Sequence, residues 1–358
     1  MLFDSIQNHT MHKILFLPLL ITLFIISCKG EKQSKDIVIS TDKSNSAASK
    51  IFEKISSEES RLVFSNTITE NIDTLENLFN FDYFYNGAGV GLEDINNDGL
   101  LDVFFTGNQV ENRLFLNEGN LRFKDITSEA GINTGKKWSN GVTFVDINND
   151  GFMDIYVSQG GPNTRYNRKN LLFVNNGDLT FTEKAGEYGL ADLGISTQST
   201  FFDMDNDGDL DCFVMNENEL YGVDPITLHR MVHANAESEY FNSSHLYRND
   251  NGRFVDITKE AGIQRPIFGL GLCVSDINKD GWLDIYVASD YYLPDAMFIN
   301  NGNATFTDRI KEFTQHTSYF GMGMDIADIN NDNLQDIFVL DMSSTDHVRS
   351  KTLMASMS

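Results

Sequence analysis

Apolar and polar positions along the chain fall into one unit that recurs from about residue 87 onward. Each unit opens on a short apolar segment, glycine-rich in most ("GAGVGLE", "GVTFV", "STFF", "GLGLCVS", "GMGMDIA"), and passes through a nine-residue acidic stretch. A second, continuously apolar segment leaves that stretch ("DVFFTG", "DIYVSQ", "DCFVMN", "DIYVAS", "DIFVLD"). In four units a third and a fourth segment follow around a turn: "LFLNEGNLRFKDIT", "LFVNNGDLTFTEKA", "LYRNDNGRFVDIT" and "MFINNGNATFTDRI". The β-branched and aromatic runs, without a 3.6-residue period, predict strands and exclude a helical solenoid. Asn-Gly and Asp-Asn-Gly between apolar runs predict tight hairpins, because Asn and Gly tolerate the positive φ such turns require.

Two details place the strands. The second segment is apolar at consecutive positions (Val103, Phe104, Phe105; Ile155, Tyr156, Val157), which predicts a strand packed on both faces. The first carries glycines (Gly87, Gly89, Gly91; Gly269, Gly271; Gly321, Gly323), as an innermost strand crowded by its neighbours would. Four short strands per unit of about 50 residues is the pattern of a propeller blade. The chain is therefore expected to be all-β, a β-propeller of four-stranded blades, with four full blades and part of a fifth. The final "SSTDHVRSKTLMASMS" holds no closing hairpin. An incomplete piece of a larger ring is the favoured reading, since blades left open expose apolar faces and strand edges; a small five-bladed ring is the alternative.

The acidic stretches begin at 94, 146, 203, 276 and 328, so at intervals of 52, 57, 73 and 52 residues. Each reads D-x-[DN]-x-D-[GN]-x-x-D. Positions 1, 3, 5 and 9 supply side-chain oxygens, and a backbone carbonyl at position 7 can turn in. The candidate ligands are Asp94, Asn96, Asp98, Leu100 and Asp102; Asp146, Asn148, Asp150, Phe152 and Asp154; Asp203, Asp205, Asp207, Asp209 and Asp211; Asp276, Asn278, Asp280, Trp282 and Asp284; and Asp328, Asn330, Asp332, Leu334 and Asp336. Hard oxygen donors in this number suit Ca2+, and the absence of His and Cys from every loop argues against zinc or copper. A metal-free Asx-rich turn is the other reading. Against it, two carboxylates ~5 Å apart repel by about 3 kcal/mol at an effective dielectric of 20. The third loop is the most acidic and should bind most tightly. In the fifth, Asn333 replaces the glycine that lets the chain reverse. No EF-hand glutamate follows at position 12, which falls in a strand.

The charge points the same way: 27 Lys+Arg against 52 Asp+Glu give −25, which argues against a nucleic-acid partner and for bound cations. From Met11, a possible true start, "MHKILFLPLLITLFIISCKG" has a basic start and a mostly apolar run of thirteen residues, Ile14 to Ile26, leading into Ser27-Cys28, too short to span a membrane and right for a leader peptide. Residues 1–27 read as a lipoprotein signal with Cys28 as the lipidated residue; an ordinary leader with an incidental cysteine is the alternative. Lys29 favours an outer-membrane address. Residues 28–60 read as a flexible tether of about 32 residues with a reach of roughly 30 Å, and 61–358 as the propeller. Cys212 and Cys273 are no disulfide framework; buried free thiols are the first reading, a bridge or a reactive thiol the others.

The phrases "FYNGAGVGLEDINNDGLLDVFFTGN", "NLLFVNNGDLTFTEKAGEYGLAD", "STFFDMDNDGDLD" and "GMGMDIADINNDNLQDIFVLDM" resemble the FG-GAP/VCBS repeats of integrin α-subunit propellers. They resemble more specifically bacterial relatives of cartilage acidic protein that carry ASPIC/UnbV domains. The resemblance covers about residues 61–358 and implies a calcium-bearing propeller, commonly of seven blades, on an exported protein.

Length variation falls in the loops opposite the acidic ones: "GGPNTRYNRKN" and "NENELYGVDPITLHRMVHANAESEYFNSSH". Loops carry binding more often than scaffolds do, so Trp138, Arg165, Tyr166, Arg168, Tyr221, Tyr240, Tyr291 and Tyr292 are candidates for a ligand face, the alternative for each being packing against its own blade. His229 and His233 would share a helix face, but Arg230 stands where a zinc protease carries its base. No nucleophile elbow or phosphate-cradling loop occurs. The expectation is a surface-displayed, non-enzymatic binding or adhesion module for a glycan or protein. The rivals are a scaffold for polysaccharide cleavage and an assembly part working with an outer-membrane transporter in nutrient uptake.

Overall fold

The computed structural model describes residues 52–343, apart from 163, 221–222 and 292, together with 346. The leader, Cys28 and most of the expected tether lie outside the described residues, as do Tyr221 and Tyr292. Within Lys54–Ser358, the described strands form four antiparallel sheets of four and one of two. Sheet 1 holds β1 (Val90–Glu93), β2 (Asp102–Phe105), β3 (Arg113–Asn117) and β4 (Phe123–Asp125). Sheet 2 holds β5 (Ser139–Val145), β6 (Asp154–Gln159), β7 (Leu171–Asn175) and β8 (Phe181–Glu183). Sheet 3 holds β9 (Ile195–Phe202), β10 (Asp211–Glu217), β11 (His245–Asn249) and β12 (Phe254–Asp256). Sheet 4 holds β13 (Gly269–Ser275), β14 (Asp284–Ser289), β15 (Ala296–Asn300) and β16 (Phe306–Asp308), and sheet 5 holds β17 (Gly321–Ala327) and β18 (Asp336–Asp341). Every sheet runs in simple sequence order, up and down, as propeller-like blades do.

Burial follows the pattern of the second strands. In β6, Ile155 and Val157 pack with Phe104 and Leu114 of sheet 1, while Tyr156 between them packs with Cys212 and Val214 of sheet 3. The same two-faced packing joins sheet 3 to sheet 4 through Phe213, Leu246, Ile285 and Phe298, and sheet 4 to sheet 5 through Tyr286, Met297, Ile337 and Val339. Glycines of the first strands sit where neighbours crowd: a Cβ on Gly141 would lie 2.6 Å from the Thr197 carbonyl. These strands line a cavity of about 430 Å³ bounded by Gly89, just before β1, and by Gly141, Thr197, Leu270 and Met322 of the other four sheets. On the far face of sheet 5, Phe338 and Leu340 are more than half exposed.

The helices among the described residues are short: α1 (Ser57–Ser60), α2 (Ala185–Tyr188), α3 (Pro225–Val232), α4 (Ala236–Phe241) and α5 (Ile310–Phe313). The first falls inside the expected tether, where Ser56 caps it and Ser60 is buried. Residues 61–87 form no blade. Leu62 and Phe64 cover the outer face of sheet 1, where Phe64 stacks on Phe105 at 4.9 Å. Asn66 then exchanges hydrogen bonds with Asn108 (2.6 and 2.9 Å), and the chain crosses the face opposite the acidic loops. There Phe81, Tyr83 and Phe84 join Trp138, Ile195, Leu228, Val232 and Phe268 in one core. The Tyr83 hydroxyl donates to Asp290 (2.9 Å) and that of Tyr291 to Asp82 (2.6 Å), tying this strap to sheet 4.

Candidate functional site

The five acidic loops connect the first and second strands of each sheet and share one hydrogen-bond scheme. The first aspartate accepts from the backbone N–H of positions 5 and 6: Asp94 from Asp98 (3.1 Å) and Gly99 (2.7 Å), Asp146 from Asp150 and Gly151, Asp203 from Asp207 and Gly208, Asp276 from Asp280 and Gly281. The fifth loop keeps the scheme, with Asp328 accepting from Asp332 and Asn333. Asn333 takes φ 64°, the left-handed conformation that asparagine tolerates next best to glycine. Position 7 enters through its N–H, which donates to the position 5 carboxylate in every loop.

The ninth residue is held at both carboxylate oxygens. Asp102, Asp154, Asp211 and Asp284 are fully buried. One oxygen of each accepts from the N–H of position 2 (Ile95, Ile147, Met204, Ile277; 2.9–3.1 Å), the other from an asparagine ending the third strand (Asn117, Asn175, Asn249, Asn300; 2.7–2.8 Å). It therefore clamps the loop to the hairpin. Burial raises all four carboxyls despite those N–H donors, to about 6 for Asp154 and about 7 for Asp211, with the neighbouring loop aspartates adding to the rise.

The third loop differs from the first, second and fourth. In the first, second and fourth, the asparagine at position 3 donates its Nδ2 to the position 5 carboxylate (2.8–3.0 Å), which relieves the crowding internally. In the third, Asp205 has no such donor. Ligand oxygens of Asp203, Asp205 and Asp211 lie within 4.8 Å of one another, and the Oδ1 atoms of Asp205 and Asp209 are buried without a hydrogen-bond partner. Desolvation first, and then the adjacent carboxylates, push Asp205 and Asp209 upward. An orphaned carboxylate oxygen in such a cluster fits a cation, which would satisfy both the lone pairs and the charge.

Sequence reasoning missed the fourth position. Asn97, Asn149, Asn206, Lys279 and Asn331 all take positive φ. Asn97 also donates to the Gly151 carbonyl of the next loop (2.9 Å), so neighbouring loops are stitched together. The repeated asparagine was the available signal; the cross-loop bond was not legible in it.

On the opposite face, most aromatic and arginine candidates prove to be committed internally. Trp138 is 2% exposed, held between Phe81 and Phe84 under the strap, so its ring offers nothing to a ligand. Arg168 is buried against Glu219 and the carbonyls of Leu193 and Gly194. Arg165 pairs with Glu219 and Glu237 (2.7 Å each) and lies 3.8 Å over the Phe241 ring. Tyr291 is tied to Asp82. Tyr240 stacks on His245 at 4.0 Å and donates to Asp256. Of the described candidates, Tyr166 stands free in solvent, 85% exposed.

The insert between β10 and β11 rests on a buried pair. His245 Nδ1 lies 2.5 Å from Asp192, which also accepts from Tyr247, and His245 Nε2 meets the Tyr240 carbonyl. Burial opposes the imidazolium, but Asp192 more than offsets it and raises His245 above 6.5; burial likewise opposes the Asp192 charge, and His245 with Tyr247 brings it below 3.8. The His245 contribution is complete below the ordinary imidazole value and lost as pH rises through the raised one. That of Asp192 is present above the ordinary carboxylate value and lost as pH falls through the lowered one. With calcium saturating, stability should fall as pH climbs past 6.5, and His245→Gln should flatten that limb in urea melts recorded at several pH values.

Comparison with known proteins agrees with this geometry. The FG-GAP-like repeat model matches residues 94–157 and 276–339, which hold loops one, two, four and five. Cartilage acidic protein 1 of Mus musculus is 25% identical over 223 residues, 62% of this chain and 32% of its own length, so this chain spans about a third of that relative. Integrin alpha-3 of Mus musculus is 34% identical over 83 residues, 20% of this chain and 8% of its own. A solved lectin from Agrocybe aegerita, which recognises non-reducing terminal N-acetylglucosamine, aligns over 70% of this chain and 59% of its own at 18% identity and TM-score 0.39, a distance at which no ligand transfers. The chain, whose up-and-down sheets each turn on the same acidic loop, matches the FG-GAP-like repeat at residues 94–157 and 276–339 and is similar to cartilage acidic protein 1 and to integrin alpha-3.

Proposed function

We propose that this chain is a calcium-held, non-enzymatic adhesion module, displayed as an exported lipoprotein through Cys28, that binds a protein or glycan on the face opposite its acidic loops. The observation that carries the metal reading is the third loop, whose carboxylates converge with two buried oxygens lacking donors. Asp203, Asp205, Asp207, Asp209 and Asp211 would hold the ion there, and their counterparts would hold it in the other four loops. Bound calcium supplies charge compensation and rigidity, not chemistry. The adhesion reading draws on the similarity to integrin-type repeats and on the side chains that stay exposed on the opposite face: Tyr166, and on the strap Ile72, Phe79 and Tyr85. The leader pattern ending in Cys28 supports export and lipidation.

A calcium titration followed by thermal melting tests the first half. Saturating calcium, at about 100 times its Kd, should stabilise the fold by about 2.7 kcal/mol per site that does not bind the unfolded chain. Asp205→Asn, which restores the internal donor of the first, second and fourth loops, should weaken the tightest site by about tenfold. A folded protein that takes up no calcium at millimolar concentration would sink the metal reading. For the second half, candidate glycans and extracellular proteins are immobilised: retention that is lost in Tyr166→Ala and leaves the ligand uncleaved is expected, whereas new reducing ends would point to a polysaccharide-cleaving enzyme instead.

A further inference from the structure

The insert between β10 and β11 carries a second set of metal-ligating side chains, of different chemistry from the acidic loops. Leu228 and Val232 bury one face of α3 in the strap core. His229 and His233 therefore turn outward together, and both are exposed. Their rings meet at 4.5 Å between centroids, as side chains four apart on a helix do. The next helix brings a carboxylate to them: Glu239 Oε1 lies 3.3 Å from His233 Nδ1. Two hydrogen bonds hold α4 against α3: the Asn235 side chain caps α4 by accepting from Ser238 N–H (2.7 Å), and the Ser238 hydroxyl donates to the Met231 carbonyl of α3 (2.9 Å).

We infer that His229, His233 and Glu239 form a site for a divalent transition metal of the zinc type, which cross-links α3 to α4. Two imidazoles and a carboxylate are the donors that zinc accepts in tetrahedral sites with one open position, and imidazole nitrogen discriminates against calcium, which takes oxygen. The three groups stand further apart than the ligand oxygens of the third acidic loop, which lie within 4.8 Å of one another. Arg230, beside His229 in sequence, stands where a protease-type base would stand, so the site would hold its ion without that base. Its effect is to stiffen an insert otherwise anchored through His245, Asn242 and the Arg165 ion pairs.

The test titrates zinc into the purified full chain with calcium held saturating, so that the acidic loops are occupied, and follows hydrogen exchange across 225–243. One calcium-resistant zinc is expected, with exchange slowed in both helices and affinity weakened at least about tenfold in His229→Gln and in His233→Gln. Glu239→Gln should weaken it as well. Because all three side chains lie on the surface of the insert, these variants are expected to melt like the parent without zinc. Zinc uptake that calcium displaces, uptake unchanged in both histidine variants, or no uptake at about micromolar zinc would each overturn the assignment.

Discussion

Asp154→Ala is expected to cost about 2–6 kcal/mol of stability, whether or not calcium is present, because it strands two buried N–H donors at about 1–3 kcal/mol each. Those donors are Ile147 N–H at 2.9 Å and Asn175 N–H at 2.7 Å. Against a typical domain stability of about 5–15 kcal/mol, the loss approaches unfolding. Asp150→Ala provides the contrast. Its carboxylate is exposed and accepts only from within its own loop, from Asn148 Nδ2 and Phe152 N–H. It should leave the calcium-free melting curve nearly unchanged and lower the calcium-induced rise. Urea melts of both variants with calcium and with chelator separate the two roles. Equal loss in both variants under chelator would show that the ninth position is an ordinary ligand rather than a clamp.

The second large effect concerns Trp138. Its ring lies edge-on to Phe81 at 5.6 Å and tilted to Phe84 at 5.2 Å, and the strap that covers it is anchored by Tyr83 on Asp290. Removing a buried tryptophan costs about 3–5 kcal/mol, and here the loss should fall on the strap first, since Trp138 is the floor on which residues 81–84 pack. Trp138→Ala should therefore expose residues 61–87 to limited proteolysis before the sheets unfold. Protease resistance of that segment in a destabilised variant would show instead that the ring supports sheet 2 alone. In the native protein its fluorescence should resist soluble quenchers, as a 2% exposed ring requires and a ligand-stacking one would not.

Much of the architecture was legible because it rests on short-range rules repeated many times. Consecutive apolar residues such as Ile155, Tyr156 and Val157 announce a strand buried on both sides, and the sheets pack in that way. Asn-Gly turns and the nine-residue loops set hairpin and loop boundaries from within, since Asx side chains and positive φ act over only a few residues. The ligand-face reading shows where this stops. Trp138, Arg168 and Tyr291 lie in loops, where exposure is the ordinary expectation, yet a strap from far earlier in the chain covers Trp138 and ties Tyr291.

By itself, then, the sequence determined the all-β blades, the five acidic loops and the hairpins that follow four of them, all local consequences of residue type and period. Tertiary structure alone decided three other things: that residues 61–87 cover a face instead of building a blade, that the ninth aspartate is shared between loop and hairpin, and that Glu239 meets His233. Each depends on where folded elements meet, which residue type and period do not specify. Only the closing of the chain on itself, under the pull of apolar burial and the need to satisfy buried polar groups, brings such segments together.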